Sequence, residues 1–206
     1  MKVIEYYYWL KKEWAKVGFI VALFLFPFLV VAVRPHDYVL FILLLHTPLY
    51  MLHETEEFVF PGGFGTFFNH YIFHLPKSVN PIDTNFIFRV NIGLVWIALP
   101  VFGLLSSIDY MFGLWIPYFV IIAGLFHIGI AIKVRKLYNP GLIVSLILNI
   151  PVGIWSVYEL VNRGILDSYV LNIYLLIGLL VNLSLPLMGS IIYKKSLRDN
   201  KYEETQ

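Results

Sequence analysis

Six apolar runs, each near the length of a membrane-crossing helix, constrain this chain more than any other feature. They are Val17 to Val33, Tyr38 to about Leu52, Phe86 to Leu105, Phe112 to Ile132, Gly141 to Val161 and Tyr169 to Tyr193. A helix crossing a hydrocarbon core of about 30 Å needs about 20 apolar residues. Six such spans with short connections use nearly all of the 206 residues, so no soluble domain fits beside them. The sequence therefore predicts an all-α fold, a polytopic membrane helical bundle of about six transmembrane helices. Residues 1–206 form a single integral membrane domain on this reading. Only 14% of the residues are charged, where a soluble domain would carry about a quarter. A surface that poor in charge calls for lipid around it.

The ends and connections refine this picture. Residues 1–16 mix lysines and glutamates with Tyr6, Tyr7, Tyr8, Trp9 and Trp14. That stretch is too long and aromatic for the n-region of a cleaved signal. It reads as an interfacial segment with aromatics at headgroup depth and snorkelling lysines. Residues 194–206 read as a polar cytoplasmic tail. The second run is short unless its helix continues through His53 to Phe60, where Pro61-Gly62-Gly63 would stop it. Of 15 Lys and Arg, all but Arg34 and Arg163 fall on one side of a six-span topology. Both termini are then expected in the cytoplasm, and the plasma membrane of a prokaryote is the expected location. No basic run is long enough for a nucleic-acid footprint, so the expected partners are the bilayer and a lipid-like or membrane-protein substrate. The absence of cysteine excludes thiolate metal sites, disulfides and a cysteine nucleophile.

The chemistry gathers at His53-Glu54-Thr55-Glu56-Glu57. On a helix Glu56 and Glu57 lie at i+3 and i+4 from His53, so the three share a face. Three carboxylates at a helix C-terminus oppose the macrodipole, at about 0.3–1 kcal/mol each. Something should compensate: a metal ion, a protonated Glu, or a cation such as Arg89, Lys77 or Arg135. Read as HExxE, the segment is a relative of the HExxH zinc helix, with Glu54 in the place of the base. Asn91 on the third run and His127 near the end of the fourth share the depth of His53. An ionisable residue inside a span is costly and by default marks function. His70 and His74 add an i, i+4 pair in the long connection, a metal spacing that also suits interfacial anchors. Glu159 falls at the opposite face.

His53-x-x-Glu56-Glu57 followed by Pro61-Gly62-Gly63-Phe64 resembles the signature of the HXXEE-domain family of small membrane proteins. Tyr138-Asn139-Pro140-Gly141, with His127 one span earlier, is similar to that family's second block. The resemblance runs from the second span to the fifth. It implies a polytopic membrane fold and singles out the cluster, but the family has no assigned function. It also leaves the position of Glu54 free, which speaks against Glu54 as a base.

Three functions compete on this evidence. The first is an intramembrane hydrolase acting on a lipid or membrane-embedded substrate. There His53, Glu57 and His127 would hold one divalent metal such as zinc, with a fourth position open to water, and Glu56 would take the proton from that water. A metal-free variant uses Glu56 and Glu57 as base and acid, with Asn91 in the same pocket. Intramembrane CAAX-type proteases use glutamate pairs comparably, but Pro61 stands where they carry Arg. The second is an ion- or proton-coupled transporter or metal-binding protein. No inverted repeat or matched pair of broken helices supports it. The third is a non-catalytic scaffold that docks a partner on its acidic cluster.

Overall fold

The computed structural model describes residues 3–76 and 80–203, with Ser196, Leu197 and residues 199–203 as backbone alone. Lys2 and Lys77 therefore lie outside the described residues. The described chain is helical, without strands. Seven helices follow one another: α1 Val3–Val33, α2 Tyr38–Phe58, the short α3 Phe64–Phe67 running on as a π turn, α4 Thr84–Leu105, α5 Ile116–Val134, α6 Leu142–Asn162 and α7 Ile173–Glu203. The segments containing α1, α4, α5, α6 and α7 are long and apolar enough to cross a membrane.

The second run does not belong to that set, and its position explains why. α2 is packed by α1, α4, α5 and α6 and forms the axis of the bundle. Residues 41–51 are buried without a break, Ile42 and Leu43 at 0% exposure. A helix that is apolar all round belongs in the interior, and one shielded by neighbours can carry the polar turns that follow. It runs on past Leu52 to Phe58 and stops where Gly62 and Gly63 take positive φ (73° and 93°). At its other end the Asp37 carboxylate accepts the Leu40 amide proton at 2.9 Å, an N-cap, and also accepts from the Tyr110 hydroxyl.

The first helix is longer than its apolar run. Residues 3–16 continue it without a break because Trp14 and Ala15 are buried against Phe88 of α4. Asn69 braces the connection between α2 and α4: it donates to the Ile82 carbonyl and accepts from the Ile82 amide, both at 3.1 Å. α5 ends at Arg135, whose left-handed φ of 53° turns the chain back toward α6. α6 begins after Gly141, at φ 95°. The C-terminal end of α2, the end of α5 and the start of α6 therefore meet at one end of the bundle.

Candidate metal centre

α2 delivers His53, Glu56 and Glu57 to this junction, all at 5% exposure or less. α5 delivers His127, at 7%. The Glu57 carboxylate sits between the two imidazoles. Its Oε1 is 3.4 Å from His53 Nε2 and 3.4 Å from His127 Nε2. The rings stand 4.9 Å apart at 77°, and the three ligand atoms lie within 4.8 Å of one another. Among the described residues this is the one group of His and acidic side chains so arranged.

Hydrogen bonds around the rings fix which nitrogen is free. Asn139 Nδ2 donates to the backbone carbonyl of His127 at 2.9 Å, which turns its Oδ1 toward the ring. That oxygen lies 2.8 Å from His127 Nδ1 and can only accept, so Nδ1 carries a proton. In a neutral ring the lone pair is then on Nε2, aimed at Glu57. His53 is held by Ser145 Oγ, 3.4 Å from its Nδ1, while its Nε2 is buried without a hydrogen-bond partner. A lone pair facing a carboxylate is repulsive unless a proton or a cation lies between them. A metal bound at about 2.0–2.1 Å sets tetrahedral ligand edges of about 3.3–3.4 Å. Two edges of this triangle have that length.

Glu56 does something different. Its two oxygens accept the amide protons of Ile143 at 3.0 Å and Val144 at 2.6 Å, the first turn of α6. A carboxylate at a helix N-terminus meets unpaired N–H groups and the positive end of the dipole. Glu56 thus ties the end of α2 to the start of α6. Glu54 points elsewhere: Trp96 of α4 donates to its Oε2 at 3.3 Å, and its Oε1 is buried without a partner. Asn91 donates to the carbonyl of Ile87 on its own helix at 2.8 Å, and no hydrogen bond links it to the cluster. His70 and His74 do not join the site either. His70 Nδ1 meets the Leu75 carbonyl at 2.9 Å, and His74 sits at φ 54° in the turn.

Three contributors lay beyond sequence reasoning about ligands. Ser145 and Asn139 support the two rings, as just described. Gly141 closes the site: a β-carbon there would stand 2.6 Å from Cε1 of both His127 and His53, and 3.0 Å from Cγ of Glu57. The backbone of the Tyr138–Gly141 turn is thus the wall against which both imidazoles rest. The Tyr138 hydroxyl is buried beside Glu56. Burial, with the nearby Glu56 carboxylate, pushes its phenol up, so it stays a proton donor.

These contacts join α2 to the α5–α6 turn, the two blocks singled out in the sequence. A family description, proteins of unknown function with an HXXEE motif, matches residues 44–156. The chain belongs to the HXXEE family. The matched segment holds the whole centre: His53, Glu56, Glu57, His127, Asn139, Gly141 and Ser145. No curated protein and no solved structure matches the chain.

Proposed function

We propose that this HXXEE protein is a metal-dependent membrane hydrolase acting on a lipid or another membrane-embedded substrate. Its metal would be one divalent ion such as zinc, held by His53, Glu57 and His127. One observation carries the reading: two imidazole nitrogens, one of fixed tautomer, converge at 3.4 Å on a single carboxylate oxygen. Two nitrogens and one oxygen leave a fourth position for water, as in catalytic rather than structural zinc sites. An ion there supplies a Lewis acid and lowers the pKa of a water to about 7. Glu56, held by two amides, is better placed to position α6 than to take a proton. Tyr138, its hydroxyl beside the Glu56 carboxylate, is the donor we assign to the substrate oxygen that gains charge.

The purified protein is expected to retain about one equivalent of divalent metal by elemental analysis, and Glu57→Gln to lose it. Asn139→Ala should keep the three ligands yet bind metal about 10–100-fold more weakly, the usual cost of removing a ligand's outer partner. Hydrolysis of vesicle lipids should stop with EDTA and return with added ion. A metal-free wild type would sink the proposal. Metal without lipid turnover would leave the ion-carrier reading, which has one observation in its favour. In the bundle interior, Thr47 Oγ1 and both amide atoms of Asn149 are buried without partners, polar groups that internal water can satisfy.

The same proposal places six spans in a prokaryotic plasma membrane, α2 as the inner one, with both termini cytoplasmic. The support is the basic residues: Arg34 follows α1 and Arg163 follows α6, and the other described Lys and Arg lie toward the centre's end. Reporter fusions after Tyr193 and at Asp109 should then report opposite sides of the membrane. The same side for both would overturn the six-span count.

A further inference from the structure

The surface between α4 and α7 carries an open groove away from the His–Glu centre. The two helices pack on other neighbours and make few backbone contacts with each other. The wider part of the groove, about 480 Å³, starts at Asp83 and reaches Arg89, Val90 and Met188. Its continuation, about 320 Å³, shares those last three residues and follows Gly93 and Ala98 of α4. From Asn85 to Ala98 the groove runs about 20 Å at 1.5 Å per residue, somewhat more than one leaflet of an about 30 Å core.

Its chemistry is asymmetric. Beyond Arg89 the walls are apolar apart from Ser184, whose hydroxyl is already donated to the Val181 carbonyl. At the mouth, Asp83 caps α4 by accepting from the Phe86 amide and also accepts from Asn85. Arg89 is exposed and forms no ion pair among the described residues. An unpaired guanidinium above an open apolar groove matches a phosphate above an acyl chain, since Arg binds phosphate bidentately.

We propose that the α4–α7 groove binds one anionic phospholipid, its phosphate on Arg89 and one acyl chain against Gly93 and Ala98. This site goes beyond the hydrolase reading and does not depend on it. Gly93 makes the test clean, because a β-carbon there meets no atom within 4 Å. A tryptophan at this position would project its ring into the groove lined by Ser184, Leu185 and Met188.

The protein is reconstituted in nanodiscs of equal phosphatidylglycerol and phosphatidylcholine, and retained lipid is counted by native mass spectrometry. The wild type should keep one phosphatidylglycerol per chain. Arg89→Gln should lose the preference about tenfold, roughly one charge-assisted contact. Gly93→Trp should lose the lipid altogether. Arg34→Gln, at the other end of the bundle, should leave retention unchanged. Metal content should stay at the wild-type level in all three variants, which separates this site from the His–Glu centre. Wild-type retention in both Arg89→Gln and Gly93→Trp would overturn the proposal, as would a lipid-free dimer whose contact Gly93→Trp breaks.

Discussion

Gly141→Ala is expected to empty the His–Glu centre and to lower the melting temperature by on the order of 10 °C, for two separable reasons. The first is the backbone. Gly141 sits at φ 95°, a region that costs a residue with a β-carbon about 1–2 kcal/mol. The second is contact. The added methyl would stand 2.6 Å from Cε1 of each imidazole, inside any tolerable separation. Overpacking of this kind costs about 1–3 kcal/mol, and each kcal/mol shifts a chain of this size by about 2–4 °C. The rings have nowhere to go without leaving Glu57 or breaking from Asn139 and Ser145. Two glycine controls divide the terms. Gly164 has φ 67° with open space around its β position, and Gly129 has open space within α5. Gly164→Ala should therefore show the strain alone, with full metal content. Gly129→Ala should leave metal content unchanged and, by replacing a mid-helix glycine, raise the melting temperature by a few degrees. The expected result is measured by thermal shift in detergent and by metal analysis of the same samples. A Gly141→Ala protein with wild-type metal content would show that the ligand cluster tolerates what the geometry forbids.

The side chains that the structure brings together were visible in the sequence because helical spacing is a local property. His53, Glu56 and Glu57 share a face by i+3 and i+4 counting, and His127 joins them through its depth. What surrounds them was visible only in part: the resemblance marked Asn139 and Gly141, but not their contacts, which depend on how α5 turns into α6. Ser145 is an ordinary residue until that turn lays it on His53. Three carboxylates at the end of α2 called for a compensator: a metal ion, a protonated Glu or a cation. Of the three candidate cations, Lys77 lies outside the described residues, Arg135 caps α5, and Arg89 opens onto the α4–α7 groove. The compensation for Glu56 comes instead from backbone N–H groups. A helix start at position 142 is legible in Pro140-Gly141, but not the fact that it faces Glu56. The Asn91 expectation rested on depth alone, and depth does not fix the side of a helix from which a residue points. The enclosure of α2 was legible in part: its first two turns, Tyr38 to Leu45, are apolar on every side, the pattern of an inner helix.

The arrangement of Glu56 leads to the second large effect. If Glu56 were the base, Glu56→Gln would leave fold and metal intact and remove only turnover. If it ties α6 to α2, the same change acts on stability first. A glutamine keeps one acceptor oxygen but turns an NH2 group toward an amide that is itself a donor. One of the two bonds, at 3.0 Å to Ile143 and 2.6 Å to Val144, is then lost. Bonds to a buried charge contribute about 1.5–3 kcal/mol each, and the charge at the N-terminus of α6 adds about 0.3–1 kcal/mol. Glu56→Gln should therefore destabilise by about 2–4 kcal/mol. Glu56→Ala leaves both amides unpaired and should cost more. Glu56→Asp keeps the charge on a shorter arm and should recover part of the loss, a rescue that tracks charge rather than size. The start of α6 carries Ser145, the support of His53, so metal affinity should fall in step with stability across the three variants. Hydrogen exchange at the Ile143 and Val144 amides reads the tie directly and is independent of any catalytic assay. Faster exchange there in Glu56→Gln, with the centre of α5 still protected, is the signature of a lost helix anchor. Unchanged exchange and melting, with turnover alone abolished, would return Glu56 to the role of base.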